Sequence, residues 1–378
     1  MAAAVSASDA LPHHEAEAVQ PATRRTGGTL PSAPGEAHMG HIEVIRGLAC
    51  LMVVAYHVVG NDPLHGLRVA ADSSWGTVPR VLDAMQMPLF AFLSGRVFAV
   101  ATTSGAAFRA SWAKKAMRLG LPLLSVTLLL WITFRLTGKG EGKSLTTALL
   151  FPFEHLWFLQ ASLVLTAIAA IGSWVFRSRL PAFVAAATVV SLAVFLVVPR
   201  FEHNVFAIHQ VIYLGPFFFF GWMMRMASPP ASGPIENRWP PVVAVVPALV
   251  AVVAAAWTWD VLIHNPDAPS PYQNAPAFLF AMALALALMS LKPRCRFLEA
   301  LGARSYTIYL FHVFFTSPTR QALWAHVPTA STTTVFVVSV IVGVGVPWLL
   351  HEAIVRNRIA AFLLLGIAPK AAAARSPS

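Results

Sequence analysis

Long apolar runs alternate with short polar breaks along almost all of this 378-residue chain. A helix needs about 20 apolar residues to cross a bilayer core of about 30 Å. Ten runs meet that need, near 42–60, 80–101, 119–137, 155–176, 181–199, 205–226, 240–263, 275–291, 305–325 and 332–355. Polar residues interrupt the second, sixth and ninth runs most. Pro88 predicts a kinked or loosened second helix, and Ser94-Gly95 predicts close approach of another backbone there. The breaks are short and no internal repeat is visible. The expected architecture is all-α, a polytopic membrane helix bundle of about ten transmembrane helices. Residues 1–40 hold no apolar core of a signal peptide and read as a disordered cytoplasmic tail. Residues 41–358 read as one membrane domain and 359–378 as a cytoplasmic C-terminal tail.

Composition removes the soluble alternatives. Hydrophobic residues make up 57% of the chain and charged residues 11%, against about 25% charged in soluble domains. The net charge of +11 raises the question of nucleic acid, but the Lys and Arg lie between apolar runs, so topology explains them and no nucleic-acid partner is expected. With a cytoplasmic N-terminus and ten crossings, 20 of the Lys and Arg fall on the cytoplasmic side and 7 outside. That bias predicts both termini in the cytoplasm, in a plasma or inner membrane. Trp75, Trp131, Trp174, Trp239, Trp257 and Trp259 fall near run ends, where indole rings prefer to sit. Cys50 and Cys295 are about 245 residues apart and build neither a disulfide framework nor a metal pattern. The chain holds no Gly-x-Ser-x-Gly, no His-Glu-x-x-His and no Gly-rich phosphate loop, and no metal is expected.

The candidate chemistry lies in polar residues at membrane depth. In the first run Arg46 and His57 are 11 residues apart, about three turns and roughly 16 Å along one helix face. Glu43 precedes Arg46 by three residues near the same face. Taken alone, these residues fit an interfacial ion pair with a hydrogen-bonded core histidine better than they fit a catalytic group. Lys115 and Arg118 stand three apart, so one helical turn aims both cations the same way, which suits a phosphate as well as ordinary loop charge. The fourth run opens with Glu154-His155-Leu156-Trp157. In the ninth, Ser305, Ile308, Tyr309 and His312 share one helical stripe. The tenth carries His351 and Glu352 near its end. Each is compatible with buried packing, but together they exceed what a structural bundle usually carries.

In this order the residues resemble the acyltransferase-3 family, integral-membrane acyltransferases that modify bacterial surface glycans, antibiotics and nodulation factors. The resemblance runs from about Ile42 to Arg356. It rests on Arg46 and His57 within Ile-Arg-Gly-Leu-Ala, Ser94-Gly95 after Phe90 and Phe92, Lys115 with Arg118, His155-Leu156-Trp157-Phe158-Leu159, Ser305-Tyr306 with Tyr309-Leu310 and His312, and Glu352. It implies an acyl-CoA donor on the cytoplasmic side and an O-linked transfer to an acceptor outside. It implies that His57 is the central catalytic residue with Arg46 beside it, that Lys115 and Arg118 meet the CoA phosphates, and that Glu352 is a functional carboxylate. Glu43, Ser94, His155, Trp157, Ser305, Tyr309 and His312 then complete a polar site for substrate or structure.

Three positions depart from the family's pattern: Glu43 where Asp is common, Lys115 where Arg is common, and Arg96 after Ser-Gly where an aromatic or aliphatic residue is common. Lys115 lacks the bidentate fork of arginine. Acyl transfer from a thioester to a hydroxyl needs a base, a stabilised oxyanion and a leaving thiolate. His57 fits a general base and equally a nucleophile forming an acyl-histidine. The expected activity moves an acetyl or succinyl group from acyl-CoA to a hydroxyl of a cell-surface or secreted glycan or related acceptor, with Arg96 one way to meet a second carboxylate. No bound cofactor is expected; acyl-CoA is a substrate. The competing reading is a transporter or flippase of a glycolipid or acylated molecule, for which inverted repeats would be the usual sign.

Overall fold

The computed structural model describes residues 34–60, 66–70, 73–138, 143–199, 202–227, a few positions between 247 and 253, and 275–368. Among them there are helices and no strands. In chain order the helices are α1 (Pro34–Val59), α2 (Ser74–Arg96), α3 (Gly105–Thr137), α4 (Leu145–Leu150) and α5 (Trp157–Val175). Then come α6 (Leu180–Val197), α7 (Ile208–Ala227), α8 (Ala275–Leu291), α9 (Arg296–His326), α10 (Thr332–Arg356) and α11 (Arg358–Leu365). Short 3-10 turns at Glu154–Leu156, Arg177–Arg179 and Val205–Ala207 lead into α5, α6 and α7.

Six helical stretches are long and apolar enough to cross a membrane: Gly40–Val59, Gly105–Thr137, Leu145–Val175, Arg177–Val197, Val205–Ala227 and Thr332–Arg356. Three further runs from the sequence fall on α2, α8 and α9, which do not reach the length or apolarity of the six; α8 has 17 residues. The run at 240–263 lies almost wholly outside the described residues, as do His13, Arg24, Arg25, Trp239, Trp257 and Trp259. The apolar side chains turned outward are those a bilayer would cover. Val189, Val190 and Val197 on α6 and Leu124 and Leu136 on α3 are exposed.

Helix starts follow local chemistry. Ser73, Ser104, Ser144, Ser331 and Asn357 each accept a hydrogen bond from a first-turn backbone N–H, satisfying one of the donors that a helix leaves open. Capping by Ser73 starts α2 six residues before the apolar run at 80, and α2 continues through Pro79 and Pro88 to end at Arg96. Similarly, α9 begins at Arg296, not near 305. Helix α11 and the following residues to 368 occupy the start of the stretch read as a C-terminal tail. They pack on α3: at Gly366 (φ 62°), a side-chain carbon would lie 2.3 Å from the Met117 carbonyl oxygen.

Two helix crossings are set by glycine. On α1 and α9, a Cβ at Gly47 would stand 2.2 Å from the Leu298 carbonyl oxygen, and one at Gly302 would stand 1.9 Å from the Glu43 carbonyl oxygen. On α2 and α7, a Cβ at Gly95 would stand 1.9 Å from the Phe218 carbonyl oxygen, and one at Gly221 would stand 2.2 Å from that of Phe92. Backbone meets backbone at both crossings, the arrangement that small residues permit in membranes. In the α2–α7 seam Phe92, Leu93, Leu214 and Phe217 are fully buried. Gly95 thus makes the close backbone approach expected of the Ser94-Gly95 pair, whereas Ser94 lines a cavity.

Candidate active site

A cavity of about 640 Å³ opens between α1, α2, α3, α5 and α9. Its size is that of a small-molecule site. Four cations line it: Arg46 from α1 and Lys114, Lys115 and Arg118 from α3. None of its described lining residues is a carboxylate. The three-residue spacing of Lys115 and Arg118 does bring both to one space. Arg46 forms an ion pair with Glu43, as their spacing predicts. Aromatic faces hold two of the three α3 cations: Lys115 Nζ lies 5.0 Å from the Phe98 ring centre, and the Arg118 guanidinium lies 5.0 Å from that of Tyr306. The Tyr306 hydroxyl also donates to the Arg118 carbonyl oxygen at 2.6 Å. Such seats keep long side chains in place while leaving their N–H donors for an anion.

The remaining wall is apolar or self-satisfied. Phe90, Phe158 and Phe218 contribute rings. Ser94 donates to the Phe90 carbonyl oxygen at 2.7 Å, and Ser305 to that of Gly302 at 2.7 Å. Tyr309 also lines the cavity, and its hydroxyl donates to the His155 carbonyl oxygen.

Through Tyr309 the cavity adjoins three imidazoles from three helical segments. The ring centres of His57 and His312 are 4.9 Å apart, those of His155 and His312 4.9 Å, and those of His57 and His155 5.8 Å. His155 lies 5.4 Å from the Tyr309 ring. His155 and His312 are buried, while His57 is partly exposed. The sequence pattern places them: His57 lies in the last turns of α1, His155 in the 3-10 turn before α5, and His312 on the buried stripe of α9 with Ser305, Ile308 and Tyr309.

Backbone carbonyls constrain two of these rings. His312 Nδ1 lies 2.9 Å from the Tyr309 oxygen and 3.1 Å from that of Ile308, so it carries the proton and donates. His155 Nε2 donates likewise to the Leu310 oxygen at 3.3 Å. The opposite nitrogens, His312 Nε2 and His155 Nδ1, are then bare acceptors; both are buried without a partner. Among the described residues no group of three or more His, Cys, Asp or Glu is placed to hold a metal ion.

A model of the acyltransferase-3 family, described as an acyltransferase domain, matches residues 40–352. The chain belongs to the acyltransferase-3 family. No match is found among curated proteins or among solved structures. This family member is thus a multi-pass membrane acyltransferase. Its matched region starts in α1 and ends on Glu352 in α10, so it holds the imidazole cluster and all of the cavity's lining except Gly366 and Ala368.

Other sequence-derived residues lie apart from this centre. Glu352 pairs with Arg304 at 2.6 Å on α9. Arg304 is eight residues from His312 on the same helix, about 12 Å along the axis. Trp157 packs beside Phe158, whose ring lines the cavity. Arg96 ends α2 and is not among the cavity's lining residues. His57 itself does not line the cavity; Tyr309 stands between its cluster and that space.

The structure also places at the site residues that hydropathy did not single out. Lys114 joins the cation group, and Tyr306 seats Arg118. Arg320 donates from a terminal guanidinium nitrogen to the His57 carbonyl oxygen at 2.7 Å. That carbonyl lies near the end of α1, where a helix leaves acceptors open and a cation is favoured. Helical spacing held a clue: Arg320 follows Tyr309 by 11 residues, about three turns on the same face.

Proposed function

We propose that this acyltransferase moves a short acyl group, acetyl or succinyl, from acyl-CoA to a hydroxyl of a cell-surface or secreted glycan or related acceptor. The observation that carries this reading is the four-cation cavity adjoining the imidazole cluster through Tyr309. The phosphates of the donor would meet Lys115 and Arg118, with Arg46 and Lys114 adding positive potential. The thioester would extend along the aromatic wall toward Tyr309, bringing its carbonyl near His57.

His57 takes the acceptor's proton as the hydroxyl oxygen attacks the thioester carbon. The carbon–sulfur bond breaks, and the leaving thiolate is reprotonated. Ser305 and Tyr309 lie within the same wall and serve the substrates there, while Glu352 acts through its pair with Arg304. In this reading α2, α8 and α9 also cross the bilayer, as does 240–263, giving ten crossings with both termini in the cytoplasm of a plasma or inner membrane. The cations of α3 then face the compartment that holds acyl-CoA.

The test supplies labelled acetyl-CoA and succinyl-CoA to membranes containing the protein and measures alkali-labile label in glycan fractions. Label dependent on the protein supports the reading; substrate movement without acyl-CoA consumption would overturn it. Charge-assisted hydrogen bonds contribute about 1.5–3 kcal/mol each. Lys115→Gln and Arg118→Gln are therefore each expected to raise KM for acyl-CoA by about tenfold or more, with a smaller change in kcat. An unchanged donor KM in both variants would remove these residues from the donor site.

A further inference from the structure

The imidazole cluster has an imbalance of donors and acceptors. His312 and His155 have each given their single N–H to an α9 carbonyl, so neither has one left for the other. Their remaining nitrogens are buried lone pairs without a partner. A buried acceptor left without a donor costs about 1–3 kcal/mol. In this cluster the ring whose N–H is not already committed to a carbonyl is His57.

Distance selects which lone pair that N–H meets. Two imidazoles joined by an N–H···N bond have ring centres about 5 Å apart, from a nitrogen separation of about 3 Å and about 1.1 Å within each ring. The centres of His57 and His312 are 4.9 Å apart, whereas His57 and His155 are 5.8 Å apart. The His57 and His312 planes are inclined at 52°. A small ring rotation completes the bond, as is common for catalytic hydrogen bonds that tighten only when substrate is present.

We propose that His312 is a positioning residue for His57: its Nε2 accepts the His57 N–H and fixes the tautomer that leaves the other His57 nitrogen free to act as base. This rests on the reading of His57 as the general base. His312 fills the place that a carboxylate holds in a catalytic triad, and its orientation is set by the Ile308 and Tyr309 carbonyls. In the reaction, the free His57 nitrogen takes the hydroxyl proton while the new oxygen–carbon bond forms. The carbon–sulfur bond breaks, and the same proton passes from His57 to the thiolate. His312 neither gains nor loses a proton.

The experiment uses the full-length protein in membranes, with labelled acetyl-CoA and succinyl-CoA as donors and alkali-labile label as readout. His312→Phe keeps a ring but removes the acceptor; His312→Gln offers a carbonyl oxygen near the position of Nε2. Expected is a fall in kcat of about 10²–10⁴-fold for His312→Phe, an unchanged KM for acyl-CoA, and recovery of most of that loss in His312→Gln. Wild-type kcat in His312→Phe overturns the inference. So does equal loss in both variants at equal amounts of folded protein.

His57→Ala runs alongside. If it retains full activity, the general-base reading fails; if it is inactive while His312→Phe is normal, this inference alone fails. Should neither His312 variant accumulate, ¹⁵N-histidine spectra of the wild-type protein decide the matter. One His57 tautomer with an N–H···N signature supports the inference, and a mixture of tautomers overturns it.

Discussion

His57→Ala is expected to lower acyl transfer by about 10²–10⁴-fold, the contribution of a positioned general base, without reducing the amount of protein in the membrane. Unchanged abundance follows from local contacts. Arg320 bonds the carbonyl of His57 and not its ring, so the link between α9 and the end of α1 survives the substitution. The ring meets Tyr56 and His155 edge-on and His312 at a tilt, and the residue is partly exposed. Its loss therefore leaves no large sealed void. Comparing ester-linked acyl groups from wild-type and variant cells by mass spectrometry, alongside quantified membrane protein, checks both halves. Persistence of the acyl product would remove His57 from the chemistry.

The second large effect concerns folding. Gly302→Ala is expected to cost at least the upper end of the ~1–3 kcal/mol typical of overpacking. The added methyl would stand 1.9 Å from a carbonyl oxygen and 3.0 Å from Cα of Glu43. Backbone cannot rotate away as a side chain can, so α1 and α9 must separate. They carry Arg46, His57, Ser305, Tyr309 and His312, so activity should fall together with yield. Gly345→Ala is the matched control, because nothing lies within 4 Å of its added carbon; alanine there should be neutral or gain up to about 1 kcal/mol of helix propensity. Monodispersity and yield in detergent separate the two. Equal behaviour of the two variants would mean that the α1–α9 crossing does not limit stability.

Sequence reveals different parts of this molecule unequally. Helices in the apolar runs are legible because one physical demand, about 20 residues without water contact, fixes their length. Thus α1, α3, α5, α6, α7 and α10 emerge from hydropathy. The first nine residues of α9, Arg296–Arg304, do not, because their polar face suppresses the apolar signal. Nor do α4 and α11, which are too short to produce one. At the site, helical spacing brings Lys115 with Arg118 and Ser305 with Tyr309 to one cavity.

Distances across helices are another matter. That His57, His155 and His312 meet depends on how α1, the turn before α5, and α9 cross, which no local periodicity encodes. The family pattern gathered those residues, and geometry supplies the reason they stand together. Glu352 shows the converse: adjacent to His351 and near Arg356 in sequence, it finds its ion-pair partner, Arg304, on another helix.

The glycine crossings also bear on how this protein can change over time. Substitutions in a core of side chains are often rescued elsewhere, because a neighbour can shrink to make room. At Gly47, Gly95, Gly221 and Gly302 the obstructing atoms are carbonyl oxygens, which every amino acid carries alike. No second-site replacement can remove them. Lineages are therefore free to drift on the lipid-facing surface of α6, while the four positions that set how α1 meets α9 and α2 meets α7 remain closed to repair.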